Sequence, residues 1–212
     1  MKHLGKKNIS IVLSRYVKNQ QSAREISNEM HIPIDRIYHI LKKNNIARRS
    51  ATIQNKIRFE KKKPSFNIKC IEPEKDILFI AGILLYWCEG AQWDGGDTVD
   101  FANSNTEMIL LFLFFLRKIC NVDKNRIRCY LYCYSNQDVQ SLIEYWSRVT
   151  KIPKVQFSKP YVRHDFNEKK KGKMLYGLIH IRYCDKKLLL CMKNWIQIVP
   201  RKIMNTYGRL PK

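Results

Sequence analysis

The sequence predicts an α+β protein in two parts. A small helical amino-terminal domain is followed by a larger one, in which helices cover one face of an antiparallel sheet. Three observations predict this. Apolar residues recur at helical spacing over the first 46 residues, and strict alternation first appears beyond residue 97. A uniformly apolar stretch, Ile77–Cys88, separates these patterns and demands burial. Charge divides the chain in the same places. Residues 1–70 hold 17 Lys and Arg against 4 Asp and Glu, residues 71–144 hold 6 against 11, and residues 145–212 hold 17 against 3. The domains expected are 1–50, a basic linker at 51–70, and 71–212.

With 212 residues, of which 45% are hydrophobic, the chain can bury a real core. Its net charge of +22 makes a polyanion the natural partner, either nucleic acid or an anionic membrane surface. The runs Ile77–Cys88 and Met108–Leu116 fall short of the ~20 residues that span a bilayer, so no membrane association is expected. No apolar segment and cleavage site follow the basic start, as a secretory signal would require. Seven cysteines without a C-x-x-C pair, mostly inside apolar segments, read as reduced core thiols of a cytoplasmic protein.

In order along the chain, Ile9–Val17 reads as a first helix. Ser22 and Glu25 form a capping box for a second, with Ala23, Ile26 and Met30 on one face. Pro33 ends it or opens the next, where Ile34, Ile37, Ile40 and Leu41 make a buried stripe. Two short helices with a tight turn and a basic second member make a helix-turn-helix. Arg36, Tyr38 and His39 would meet base edges there, and Lys42 and Lys43 phosphates. The plainer alternative is a helical hairpin used only for packing. Residues 47–70 read as the basic linker, with a helix near Thr52–Lys61.

The larger domain reads α-β-α-β-α-β-β-α. Asp76–Gly90 is the apolar helix, and 91–94 leaves room for an extra strand. Thr98–Asn103 alternates with Val99 and Phe101 inward. Ser104 and Glu107 read as a capping box for a helix to Cys120 that is covered all round. Asn125–Tyr134 is the clearest strand, with Ile127, Cys129, Leu131 and Cys133 inward. Asp138–Val149 is an amphipathic helix, Val155–Arg163 an edge strand containing Pro160, and Asn167–Lys173 a lysine-rich loop. Met174–Cys184 is the last strand, followed by a helix from Lys186 to Val199, before Pro200. Helices on one side leave the other sheet face bare. That face would show Arg126, Arg128, Tyr130, Tyr132, Tyr176, His180 and Arg182, a saddle for duplex DNA. An ordinary solvated sheet face is the alternative.

Two segments resemble known families. Residues 9–46 resemble the helix-turn-helix of resolvases and related bacterial regulators. Gly82–Gly90, ending Tyr86-Trp87-Cys88-Glu89-Gly90, resembles the signature helix of LAGLIDADG homing endonucleases, and the element order over residues 71–200 is similar to that family's core. In the register that aligns Glu89-Gly90 with the family's closing acid and glycine, Leu84 stands where a small residue is expected and Trp87 where the first acid is expected. With one motif in the chain, the resemblance implies a homodimer on a near-palindromic site. Its helices would pack through Ala81, Gly82, Leu85, Cys88 and Gly90. Two Glu89 carboxylates would hold Mg2+ or Mn2+ for hydrolysis of a DNA phosphodiester. Glu89 is the catalytic and metal-binding residue carried over by position, and Gln92 and Asp94 lie close behind it. Relatives that have lost cutting and act as transcription regulators imply an alternative: DNA binding without catalysis. A third reading is an RNA-binding, maturase-like protein whose sheet tyrosines stack bases, less favoured beside a helix-turn-helix.

Overall fold

The computed structural model describes residues 5–69, 76–166, 172 and 174–208. The chain divides into two compact units, meeting between Lys63 and Pro64.

In the first unit, α1 (Lys6–Val17), α2 (Ala23–Met30) and α3 (Ile34–Lys43) enclose a core of Val12, Tyr16, Ala23, Ile26, Ile32, Ile37, Ile40 and Leu41. The capping box is present. The Glu25 N–H donates to Ser22 Oγ at 3.1 Å, and the Ser22 N–H donates to the Glu25 carboxylate at 2.7 Å. A three-residue turn follows, with His31 in the left-handed region at φ 53° and Pro33 opening α3. The helix expected within the linker is present and packs on this unit. Ser50 caps α4 (Ala51–Lys61), and Lys61 Nζ donates to the Asn19 and Gln20 carbonyls at 2.6 and 3.1 Å. Arg49 joins this unit too, its guanidinium 3.9 Å from the Tyr16 ring centroid and donating to the Tyr16 carbonyl.

The rest of the spacer belongs to the second unit. Asn67 and Lys69 N–H donate to the Cys120 and Ile119 carbonyls at 3.0 and 2.9 Å, and Phe66 and Ile68 pack on its core. This unit holds α5 (Ile77–Glu89), β1 (Thr98–Asn103), α6 (Thr106–Phe114), β2 (Arg128–Tyr134), α7 (Val139–Thr150), β3 (Tyr161–Arg163), β4 (Leu178–Cys184) and α8 (Lys186–Tyr207). That is the expected α-β-α-β-α-β-β-α order.

The sheet runs β1-β4-β2-β3. It is mixed rather than antiparallel, because β3 lies parallel to β2 while β4 is antiparallel to both β1 and β2. Val99, Phe101, Cys129, Leu131, Cys133, Ile179, Ile181 and Tyr183 point into one core with the helices, as period two requires. Phe101 stacks on Phe112 at 4.3 Å, which fixes α6 against β1, and Phe79 meets Trp195 edge-on at 5.1 Å, which fixes α5 against α8.

Several boundaries differ from the sequence reading. Asn105, not Ser104, caps α6, its Oδ1 accepting from the Glu107 and Met108 N–H. That helix continues as a π-helical turn, Phe115–Ile119, and exposes Leu111 and Phe114 rather than being covered all round. Residues 91–94 form no strand, and only Gly90 bridges to Phe101. Lys154–Gln156 form a 3-10 turn and Phe157 makes an isolated parallel bridge to Cys129, while Pro160 interrupts the pairing, so β3 starts at Tyr161. Met174 and Gly177 take positive φ, so β4 starts at Leu178. Pro200 removes one helical hydrogen bond without ending α8. Most of the lysine-rich loop, 167–171 and 173, lies outside the described residues.

Candidate nucleic-acid interface

On α3 the expected contacts divide. His39, Lys42 and Lys43 are exposed, the two lysines in the last turn where the helix dipole favours cations. Arg36 is half-buried. Tyr38 packs on the helical core, and the Arg48 guanidinium lies 3.8 Å from its ring centroid, so the ring supports Arg48 instead of standing open.

In the second unit the register sets the uncovered sheet face row by row. Asp100, Arg182 and Arg128 lie abreast on β1, β4 and β2, and Ala102, His180 and Tyr130 form the next row. Tyr132 pairs with Tyr161 across β2 and β3. The rings form a connected group. Tyr132 lies 4.7 Å from His180, 5.3 Å from Tyr130 and 5.2 Å from Tyr161. Asp100, its side chain 12% exposed, accepts from Arg182 Nε at 2.9 Å and contacts His180 Nδ1 at 2.9 Å. It offsets the charge of Arg182, which stands between it and Arg128 in the row.

Two of the seven residues expected on this face lie elsewhere. Arg126 precedes β2 in a 3-10 turn and donates through Nη2 to the Cys184 carbonyl at 2.6 Å. Tyr176 sits in the turn before β4, stacked on Tyr145 of α7 at 3.8 Å. Arg128, Tyr130, Tyr132, His180 and Arg182 do share the face. Sequence reasoning missed Asp100 and Tyr161. The alternation of Thr98–Asn103 marked Asp100 as outward. Nothing local marked Tyr161, whose place depends on β3 pairing with β2.

The third candidate is the end of α5. Asp76 caps its start, accepting from the Phe79 N–H at 3.0 Å. Phe79, Gly82, Ile83 and Tyr86 are buried, and burial pushes the Tyr86 hydroxyl up to about 12. The helix is not covered on most sides as expected. Ile77, Leu84, Trp87 and Cys88 are exposed, and Ala81 and Leu85 are half-buried. Gly82 and Gly90 do not lie on that open face. A Cβ on Gly82 would come within 2.2 Å of the Phe115 ring, and one on Gly90 within 2.3 Å of the Tyr86 ring. Both glycines permit packing within the chain.

Glu89 closes α5 with an exposed carboxylate. Asp94 pairs with Lys193 at 3.0 Å, and Gln92 Nε2 donates to the Trp87 carbonyl at 2.8 Å. Among the described residues, no three His, Cys, Asp or Glu side chains gather closely enough to hold a metal. Among the described residues of one chain, the oxygen-rich set that Mg2+ or Mn2+ requires is therefore not assembled. Cys120, Cys129 and Cys133 are buried, and burial pushes the Cys129 thiol up to about 12. Compared with known proteins, the chain matches no family model, no curated protein and no solved structure.

Proposed function

We propose that this chain is a sequence-specific double-stranded DNA-binding protein. It pairs a helix-turn-helix (α2, the turn and α3) with a LAGLIDADG-like domain. The observation that carries the reading is the uncovered sheet face. Arg128 and Arg182 lie beside the ring group of Tyr130, Tyr132, Tyr161 and His180, in a chain of net charge +22. Guanidiniums answer phosphates, and rings and imidazole answer base edges and sugars. Titration of a labelled duplex at rising salt tests it. Affinity should fall steeply, because each neutralised phosphate releases counterions. Salt-insensitive or absent binding would count against it.

Cleavage is the second reading, favoured by the exposed apolar face of α5. Its residues Ile77, Ala81, Leu84 and Cys88 follow the four-three-four spacing of a helix seam. A second copy docked there would bring two Glu89 carboxylates together, the pair that a shared metal needs. On that reading, Glu89→Gln abolishes Mg2+- or Mn2+-dependent cutting and leaves duplex affinity unchanged. Cutting that survives the substitution removes Glu89 from the chemistry. A chain that binds and never cuts is a regulator on the same scaffold. Competition between duplex and structured RNA separates both from a maturase-like protein.

A further inference from the structure

The first unit contains a charge cluster that α3 does not use. Arg24 of α2, Arg48 and Arg49 of the α3–α4 connection, and Arg58 of α4 line one cavity of about 280 Å³. Among the described residues, no carboxylate lines it.

The fold builds this cluster with dedicated contacts. Arg49 is fixed: Nη1 donates to Gln54 Oε1 at 3.1 Å, and its backbone N–H donates to the Tyr16 hydroxyl at 3.0 Å. The Lys61 bonds to the Asn19 and Gln20 carbonyls hold the far end of α4. Together they bring Arg58 to the first turn of α2, where Arg24 sits. Arg48 is spread over the Tyr38 ring. Two carboxylates stand near the cavity. Asp35 lines a neighbouring cavity with Arg48. Glu25 is turned toward the Ser22 N–H, and that hydrogen bond, aided by the charges of Lys61 and Arg58, holds it below the usual carboxylate range. Two carboxylates beside the cavity leave its four guanidiniums in excess.

Guanidiniums gathered around one cavity repel unless an anion lies between them. Their planar donor forks match the oxygens of a phosphate better than a spherical halide ion. We propose that this cavity is an oxyanion site that takes a phosphate group, with Arg24, Arg48 and Arg58 as its arms and Arg49 as the fixed wall. The phosphate comes either from a duplex backbone, in which case the inference rests on the DNA-binding reading, or from a free phosphorylated molecule, in which case it does not.

The test uses the full chain and an Arg24→Gln/Arg58→Gln variant. Both side chains are exposed, and an unchanged circular-dichroism melt without ligand verifies the variant's fold. Duplex affinity is measured against salt. The melting temperature is measured in sodium pyrophosphate against sodium chloride of equal ionic strength. A backbone phosphate predicts a severalfold loss of duplex affinity in the variant and a salt slope smaller by about 1 for each lost contact. A free ligand predicts that pyrophosphate raises the wild-type melting temperature, and that the variant loses this shift while keeping its duplex affinity. An unchanged slope with no arginine-dependent pyrophosphate shift overturns the proposal. Should the wild type bind no duplex, the DNA reading falls, and the pyrophosphate shift alone decides the cavity: its presence supports the site and its absence overturns it.

Discussion

Gly82 and Asp100 show how single positions constrain the second unit. Gly82 lets α5 close onto the π-helical turn of α6, since a methyl group there would sit inside the Phe115 ring. Gly82→Ala should therefore destabilise the unit by about 1–3 kcal/mol, the usual cost of overpacking. A chemical-denaturation midpoint would measure it, and an unchanged midpoint would contradict the packing. Asp100 holds Arg182 and His180 in place on the open face. Asp100→Ala leaves both without that partner and should cost about 1–3 kcal/mol, read from the same denaturation curve. Sequence and structure part most clearly at this scale. The motif-like Gly82 and Gly90 invite an intermolecular reading, because a glycine in a sequence does not say which neighbour approaches it. The capping box of Ser22 and Glu25 was legible because both partners lie within one turn. Asn105 displaced Ser104 as a cap because two adjacent residues of similar chemistry compete for the same N–H groups.

Among the elements, α5 has two faces of different use. Phe79, Ile83 and Tyr86 secure it within the unit, and Leu84 and Trp87 remain exposed at 38% and 45%. On the two-copy reading, Leu84→Asp should lower self-association at least tenfold while hardly changing the melt of the isolated chain. Sedimentation equilibrium reads this, and a wild type that stays monomeric at every concentration would remove the seam. The period-two pattern made β1, β2 and β4 legible, since burial of one face forces alternation. It could not give the parallel β2–β3 pairing, which joins distant segments and brings Tyr161 beside Tyr132. It also placed Tyr176 on the sheet face by extending the alternation into a turn. Positive φ at Met174 and Gly177 breaks the strand there, and the ring turns to Tyr145. The helix expected near Thr52–Lys61 is present as α4, but its attachment to the first unit was not legible, for a related reason. Its basic residues suggest solvent, whereas Arg49 and Lys61 spend their donors on carbonyls of the first unit.

For the whole molecule, composition speaks to the kind of partner expected rather than to the chemistry done to it. A net charge of +22 spread over both units predicts a polyanion whichever surface meets it. The Arg128→Gln/Arg182→Gln pair should weaken duplex binding on every sequence and reduce the salt slope by about 1–2, as loss of two phosphate contacts does. The measurement that bears most directly on the central claim is the salt dependence of duplex binding by the full chain, over about 50–200 mM salt, with structured RNA as competitor. The DNA-binding account predicts a fall in affinity of at least about a hundredfold across that range, and displacement by a selected duplex at concentrations where RNA fails to compete. Binding that is flat in salt, or that yields equally to RNA, would contradict it.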